Sequence, residues 1–343
     1  MTKLDQSSVK TADFKKFNNV ELDPSVRVFG KNATPAQDFE PEYITVSSNS
    51  KKAWVSLQEN NALAVVDIKA AKVTDIIGLG FKSFNSPKTG IDASDKDKKI
   101  NINAWPVLGM YQPDSIASYK TKGKTYIVTA NEGDARDYDG YSEEVRVAKA
   151  PIAKAFLKQH PKITRDKNLG RLKISTANGD TDGDGKLDQL YAFGARSFSI
   201  WDTKGQQVYD SGSQFGNIIA KRYPDLFNRG KGKSDRRSDD KGIEPEALTI
   251  GKVDDQAYAF IGLERSSGIM AFNITNPKAP YFSDYFTNIS PALADDDPKQ
   301  GDIAPESLTF ISAKESPIKK ALLLAANEVS STLSIYLIEP RQH

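Results

Sequence analysis

The sequence has no cysteine among its 343 residues and only two histidines, His160 and the final residue, His343. The absence of cysteine excludes disulfides, thiol catalysis, thiolate-zinc sites and iron–sulfur clusters. Two histidines leave almost no basis for a Ser-His-Asp mechanism or a histidine-rich transition-metal site. Any site chemistry must therefore use oxygen ligands, arginine and lysine.

Positive and negative charges nearly balance, with 47 Lys and Arg and 45 Asp and Glu, a net charge of +2. A near-neutral chain lacks the electrostatic surplus that nucleic-acid binding needs, so we expect no nucleic-acid partner. No run approaches the roughly 18 apolar residues of a membrane helix, so we expect no transmembrane segment. The stretch 1–18 is polar and charged, and we expect no signal peptide in this chain.

The chain does contain an internal repeat: a Pro-acid pair, a short β run, a polar turn, a second β run ending in a Glu-containing turn, and a third β run. Copies begin at Glu40, Gln112, Glu244 and Ala304, and a degenerate copy without the Pro-acid start begins at Arg171. Repeated antiparallel strands of this kind are typical of propeller blades. The sequence therefore predicts an all-β fold, a β-propeller that occupies 1–343 as one domain, complete or partial. The predicted blade units are 39–82, 111–141, 168–212, 243–275 and 303–340.

Two helical insertions are predicted between these units, at 142–160, where Pro151 suits a helix start, and at 218–228. The segment 229–241, RGKGKSDRRSDDK, is interpreted as a solvated surface loop.

Blade geometry predicts that carboxylates from several units converge. The innermost strand of a blade begins on the face to which the second turn returns, so the acid after each Pro and the Glu of each second turn should share one face. These residues are Glu42, Asp114, Glu246 and Glu306, with Glu59, Glu132, Glu264 and Glu328.

Gathered carboxylates repel one another unless a cation or a basic side chain compensates them. Two alternatives remain open. The ring could be salt-bridged, with Arg136, Arg196, Lys241 and Arg265 as the available bases. Alternatively, a hard divalent cation binds there, which gives a possible second metal site of Glu42, Glu59, Glu246, Glu306 and Glu328. The acidic loop 131–144 is either part of this site or a mobile surface loop.

The strongest single motif is D-T-D-G-D-G-K-L-D, which begins at Asp180. Acids at alternate positions, a glycine for the sharp turn and a backbone carbonyl can wrap a calcium ion. The spacing predicts ligands from Asp180, Asp182, Asp184 and Asp188, with Lys186 contributing its backbone carbonyl. Tyr191 stands where an EF-hand has its closing Glu, and the flanks read as β strands, so we expect a loop at the tip of a β-hairpin rather than an EF-hand.

Long segments spread over nearly the whole chain resemble the choice-of-anchor I family of exported or surface-anchored bacterial propellers with YVTN-like repeats. Among them are YIVTANEGDARDYDGYSEEVRV, LYAFGARSFSIWD, RSDDKGIEPEALTIG and AFIGLERSSGIMAFNIT. The resemblance implies a ring of seven blades in the full family, with further blades upstream of this chain. It also implies an extracellular, periplasmic or cell-surface location.

Two functions follow as hypotheses. The first is a secreted or surface-associated propeller that binds Ca²⁺ and serves as a module for a small-molecule, protein or cell-surface partner. The second, implied by the phosphatase label of many relatives, is a metal-dependent phosphoric ester hydrolase acting on a phosphate ester. Its catalytic candidates are Glu132, Asp134, Arg136, Glu246, Glu264 and Arg265, with Arg136, Arg196 or Arg265 as phosphate clamp. A lactonase-like propeller with a central calcium is a third option.

Overall fold

The structure is a computed structural model that describes residues 6–339. Residue 340, the last of the predicted unit 303–340, and His343 lie outside this range. Within it the helices are short: α1 (Pro35–Asp38), α2 (Lys154–Gln159) and α3 (Gln214–Arg222), with 3-10 turns at Gln6–Ser8, Lys15–Asn19, Val147–Lys149 and Pro224–Leu226.

Strands make up most of the regular structure. The first eleven are β1 (Pro41–Val46), β2 (Lys52–Leu57), β3 (Ala62–Asp67), β4 (Lys72–Gly78), β5 (Phe81–Ser83), β6 (Leu108–Met110), β7 (Ile116–Thr121), β8 (Lys124–Asn131), β9 (Asp137–Tyr138), β10 (Tyr141–Ser142) and β11 (Glu144–Arg146). The others are β12 (Lys173–Ser175), β13 (Tyr191–Ala192), β14 (Ser197–Asp202), β15 (Gln207–Asp210), β16 (Pro245–Val253), β17 (Gln256–Leu263), β18 (Gly268–Asn273), β19 (Tyr281–Phe286), β20 (Pro305–Ile311), β21 (Ala321–Asn327) and β22 (Thr332–Ile338).

Antiparallel sheets follow one another along the chain. Three are four-stranded, with orders β1-β2-β3-β4, β7-β8-β14-β15 and β16-β17-β18-β19, and a three-stranded sheet β20-β21-β22 comes last. The first strands of these sheets are neighbours, since β7 lies next to β1 and β16, and β16 lies next to β20. Successive sheets whose innermost strands meet in this way are propeller blades. The predicted all-β propeller class is thereby confirmed.

The strand pairing differs from the predicted units in one respect. β7 and β8, from the predicted unit 111–141, pair with β14 and β15, from the predicted unit 168–212, in a single sheet. The segment 132–196 is an insertion between β8 and β14. It carries β9 to β13, of which β13 joins β6 and β5 in a further three-stranded sheet. The two stretches are one blade because β14 is buried along almost its whole length and β8 supplies its backbone partners.

Apolar side chains fill the space between neighbouring sheets. Between the first and second sheets they include Trp54, Leu63, Ile116, Ile127 and Trp201. Between the second and third they include Val128, Phe198, Leu248, Ile261 and Phe272. Between the third and fourth they include Ala247, Phe260, Leu308, Leu323 and Ala325. The insertion packs against the segment that follows β5 in a further core, which includes Phe84, Val147, Leu172, Ile174 and Leu190.

The predicted helical insertions contain less helix than expected. In 142–160 the chain first forms β11 and a 3-10 turn, and α2 begins only at Lys154, three residues after Pro151. The second helix, α3, begins at Gln214, four residues before the predicted 218–228. Both differences are boundary shifts, because Val145 and Val147 pack into the core of the insertion, and Phe215 and Ile219 pack between sheets.

Candidate functional site

Irregular strand pairing positions the acids that follow the prolines. The register shifts at the start of β1 between Pro41 and Ile44, in β16 between Pro245 and Leu248, and in β20 between Pro305 and Ser307. Bulges of this kind redirect side chains and are common beside functional sites. The residues concerned are Glu42, Glu246 and Glu306. The second-turn acids Glu132, Glu264 and Glu328 directly follow β8, β17 and β21, and Glu59 follows β2 after Gln58, as the repeat predicted.

Five of the acids form what we call the carboxylate cluster: Asp114, Glu132, Glu244, Glu246 and Glu264. Oxygens of Asp114, Glu132 and Glu246 lie within 4.8 Å of one another, as do oxygens of Glu132, Glu244 and Glu264. Two consecutive blades contribute, because Asp114 and Glu132 flank the inner strands of the second sheet, and Glu244, Glu246 and Glu264 flank or belong to β16 and β17 of the third. Glu132 is held by a close backbone crossing, since a Cβ on Gly133 would lie 2.0 Å from the backbone of Gly194.

Glu246 has no basic partner among residues 6–339. Its residue is 9% exposed, and its Oε2 atom is buried without a hydrogen-bond partner among the described residues. Burial, together with the neighbouring carboxylates of Glu132 and Glu264, raises the pKa of Glu246 to about 11. Such a carboxyl group either keeps its proton or needs a cation beside it.

Lys241 compensates the other side of the cluster. Its Nζ atom lies 3.0 Å from Oε1 of Glu132 and 3.1 Å from Oδ1 of Asp134. Burial alone would lower the pKa of Lys241, but Glu132 and Glu244 raise it, so the ammonium stays charged. The Oε2 atom of Glu132 accepts a hydrogen bond from Gln58 at 3.0 Å. Even so, burial raises the pKa of Glu132 to about 7.

Glu244 was not singled out by the repeat, although it directly precedes the Pro-Glu pair. It is fully buried and accepts hydrogen bonds from Arg237 Nε at 2.8 Å and Arg265 Nε at 3.0 Å. Arg265 also pairs with Glu264, at 2.8 Å. Burial would raise the pKa of Glu244, but Lys241, Arg237 and Arg265 lower it. The cluster therefore has one salt-bridged side and one side, at Asp114 and Glu246, where the described residues form no ion pair.

The other predicted carboxylates lie further from this centre. Glu42 is exposed at the start of β1, and partial burial of its carboxyl group together with Glu59 and Asp114 raises its pKa to about 8. Burial raises the pKa of Glu59 to about 7, and its charged neighbours are Glu40, Asp134 and Arg136. Glu306 is exposed but close enough to Glu246 and Asp114 to raise their pKa values. Glu328 is exposed, and no described contact joins it to the cluster.

Two predicted phosphate-clamp arginines have internal partners. Arg136 is 4% exposed and donates to Asp38 at 2.5 Å and to Glu40 at 3.1 Å. Arg196 is 7% exposed, and its guanidinium donates to the backbone carbonyls of Asp92, Ser238 and Asp240. Both side chains therefore form hydrogen bonds that connect separate loops of the chain. Of the three predicted clamp residues, Arg265 is the one that contacts the cluster, through Glu244 and Glu264.

The acidic loop 131–144 is folded against the rest of the chain. Glu143 is fully buried and pairs with the guanidinium of Arg27. Glu144 pairs with Lys173 at 2.6 Å. The first pair connects the N-terminal segment to the insertion, and the second lies within the insertion.

The predicted calcium loop lies on the surface of the insertion. Oxygens of Asp180, Asp182 and Asp188 lie within 4.8 Å of one another. Asp184 instead pairs with Lys186, at 2.7 Å. The hairpin prediction is wrong, because the flanking strands β12 and β13 pair with β11 and β6 rather than with each other.

Comparison with known proteins places the chain in a family. The model of the choice-of-anchor I domain matches residues 1–277, so the chain belongs to this family. A mesenchyme-specific cell surface glycoprotein of Strongylocentrotus purpuratus is 28% identical over 278 residues, which cover 70% of this chain and 35% of that protein. Gigasin-3a of Magallana gigas is 30% identical over 191 residues, covering 51% of this chain and 66% of that protein. The chain thus spans only part of these relatives.

Solved structures show low overall similarity. The WD40 domain of Toxoplasma gondii coronin aligns with 90% of this chain and 48% of that chain, at 9% identity and a TM-score of 0.38. A periplasmic gluconolactonase of Pseudomonas aeruginosa aligns with 88% of this chain and 67% of that chain, at 9% identity and a TM-score of 0.29. Within residues 6–339, no helix is long and apolar enough to cross a membrane.

Proposed function

We propose that this chain is a secreted or surface-associated propeller module that binds calcium and presents a ligand-binding face beside the bound ion. Its family and its similarity to a protein named as a cell-surface glycoprotein support an extracellular, periplasmic or cell-surface location. The partner is then a small molecule, a protein or a cell surface that contacts the carboxylate cluster.

The unpaired carboxylate of Glu246 carries this proposal. Calcium ligands lie 2.3–2.6 Å from the ion, so ligands on opposite sides of it are about 5 Å apart. The oxygens of Asp114, Glu132 and Glu246 meet this limit. A buried carboxylate without a partner is strongly unfavourable, and a divalent cation would relieve the repulsion that raises its pKa. Asp114, Glu132 and Glu246 would hold the ion, with water filling the remaining positions.

A second calcium site is proposed in the loop 180–188. Asp180, Asp182 and Asp188 would supply carboxylate oxygens there, and the backbone carbonyl of Lys186 is a further candidate. Asp184 could join them only by leaving Lys186. This site would stabilise the insertion rather than contact a partner.

Calcium titration by isothermal calorimetry tests both sites on one protein. We expect two sites in the wild type, one in Glu246→Gln and one in Asp182→Ala. Loss of a direct ligand should weaken its own site more than about tenfold, since even outer-shell partners of metals are worth 10–100-fold.

Glu328→Gln is the matched control for the cluster. Glu328 follows β21 as Glu264 follows β17, but it is exposed and no described contact joins it to the cluster. Its replacement should leave both sites within about threefold of the wild type. If Glu246→Gln and the wild type bind calcium with the same stoichiometry and affinity, the cluster site is refuted.

A calcium-dependent phosphoesterase is the second candidate, favoured by the position of Arg265 next to the cluster. In it the ion would polarise a phosphoryl oxygen and activate water, while Arg265 contacts the phosphate. Hydrolysis of a phosphomonoester and a phosphodiester should then require calcium and fall in Glu246→Gln. Equal background rates for the wild type, the variant and the chelated protein would exclude this activity for the esters tested.

A further inference from the structure

An arginine-rich cavity lies beside the carboxylate cluster. Its volume is about 330 Å³. Three separate parts of the chain line it: the turn at 95–96, the insertion through Arg146 and Arg171, and the segment 230–240 together with Arg265. The segment 229–241 is therefore the wall of a cavity, not only the solvated turn that its composition suggested.

The charge of this cavity is unbalanced. Seven basic side chains and three carboxylates line it. Glu244 and Glu264 pair with Arg237 and Arg265 from behind the cavity wall and reduce the excess of four positive charges to two. A concave surface with an excess of one sign concentrates ions of the opposite sign.

Buried acids hold the arginines in fixed positions. Asp239 is 4% exposed and accepts hydrogen bonds from Arg146 at 2.6 Å and from Arg171 at 2.8 Å. Asp95 fixes the other edge of Arg171, at 2.5 Å. Glu244 fixes Arg237 in the same way, at 2.8 Å. Guanidinium groups held in advance lose little conformational entropy when a ligand binds.

Some N–H hydrogen-bond donors of these fixed guanidinium groups have no partner among the described residues. The Nη2 atoms of Arg146 and Arg265 have no hydrogen-bond partner among the described residues. Arg236 and Lys231 are exposed, line the same cavity and have no described ion-pair partner. Several N–H donors from different segments therefore point to one anionic ligand, and guanidinium forks match the oxygens of tetrahedral oxyanions.

We propose that this cavity binds a tetrahedral oxyanion, the phosphate or sulfate group of a small ester. The site goes beyond the calcium proposal and does not depend on it, because no residue of the Asp114, Glu132 and Glu246 group lines the cavity.

Calorimetry in the presence of EDTA tests the site while calcium is absent. The probes are inorganic phosphate, inorganic sulfate, glucose 6-phosphate and glucose 6-sulfate, each titrated into the full chain. We expect saturable binding that weakens by about tenfold in Arg236→Ala and in Lys231→Ala, because each removes a charge-assisted contact. Tighter binding of inorganic phosphate and glucose 6-phosphate identifies the ligand as a phosphate ester. Tighter binding of inorganic sulfate and glucose 6-sulfate identifies it as a sulfate ester. Either result supports the site.

Arg165→Ala and Lys233→Ala are the matched controls. Both residues are exposed and neither lines the cavity. They should bind the probes as the wild type does. The proposal is overturned if no probe binds saturably, or if these controls weaken binding as much as Arg236→Ala and Lys231→Ala, since the effect would then be one of general charge.

Discussion

Asp235 is a single residue whose titration should be visible in the stability of the whole chain. It has a left-handed backbone conformation, with φ 66°, and its carboxylate accepts a hydrogen bond from Ser238 at 2.6 Å. Burial, with added repulsion from Asp92 and Asp97, raises the pKa of Asp235 to about 7. An unfolded aspartate releases its proton near pH 4. Between about pH 4 and pH 7 the native state therefore binds more protons at this site than the unfolded state, and this site's contribution to the free energy of unfolding falls as pH rises.

In Asp235→Asn this decline should disappear. Asparagine tolerates the left-handed conformation and keeps the oxygen that accepts from Ser238, so the variant should fold. We expect its denaturation midpoint to fall less between pH 4 and pH 7 than that of the wild type, as measured by urea unfolding. Asp139→Asn, at an exposed loop position, should leave the slope unchanged. If the denaturation midpoint of Asp235→Asn falls with pH as steeply as that of the wild type, the carboxyl group of Asp235 ionises normally and the prediction is wrong.

Single residues also show how far the repeat could predict the cluster. Glu246 and Glu132 could be placed because the Pro-acid pair and the second turn recur at fixed positions in each unit. Glu244 could not be placed in this way, because the corresponding positions in the other units hold different residues, Glu40, Gln112 and Ala304. Its role depends on Arg237 and Arg265, which only the folded chain brings to it.

The loop 180–188 is an element whose order should depend on calcium. Without an ion, its acids accept hydrogen bonds from the loop's own backbone, for example from Gly183 and Gly185 to Asp180 at 2.8 and 2.9 Å. Lys186 is exposed within it and offers trypsin a cleavage site. At calcium concentrations about 100-fold above Kd, the population of molecules with this loop open should fall about 100-fold. We therefore expect trypsin to cleave the wild type after Lys186 about 100-fold more slowly with calcium than with chelator. Mass spectrometry of the peptides measures this rate.

Asp182→Ala should be cleaved after Lys186 at the same rate with calcium and with chelator. Cleavage after Lys204, in the exposed turn between β14 and β15, is the internal reference and should not respond to calcium. Calcium-independent cleavage after Lys186 in the wild type would contradict a bound ion in this loop.

Element boundaries were harder to predict than element types. The β character of β14 was readable from SFSIW, but its partner β8 lies about seventy residues earlier. Local pattern contains no information about such a distant pairing, so the two halves of one blade were read as two units. The hairpin predicted for the calcium loop failed for the same reason, because β12 and β13 each pair with a more distant strand.

At the scale of the whole molecule, the order of the sheets was readable from the repeats, but the surface of the last sheet was not. Burial on a strand depends on what packs against each face, and a repeated sequence is the same whether or not a neighbour is present. Phe286 of the third sheet contacts Tyr336 on the inner face of β22. The opposite face of β22 shows alternating apolar residues with large exposed fractions.

That exposed face should promote self-association. Leu333, Ile335 and Leu337 are 67%, 64% and 47% exposed, and β22 is the unpaired edge of a three-stranded sheet in the described structure. Apolar surface on an open edge strand favours pairing between copies. The double variant Leu333→Thr/Ile335→Thr keeps strand propensity and removes apolar area. Sedimentation velocity should show concentration-dependent association of the wild type and a monomer for the variant.

Ile68→Thr is the control for this prediction. Ile68 is an isolated residue that is 40% exposed, and its variant should associate like the wild type. If the double variant also associates like the wild type, the copies contact one another through another surface.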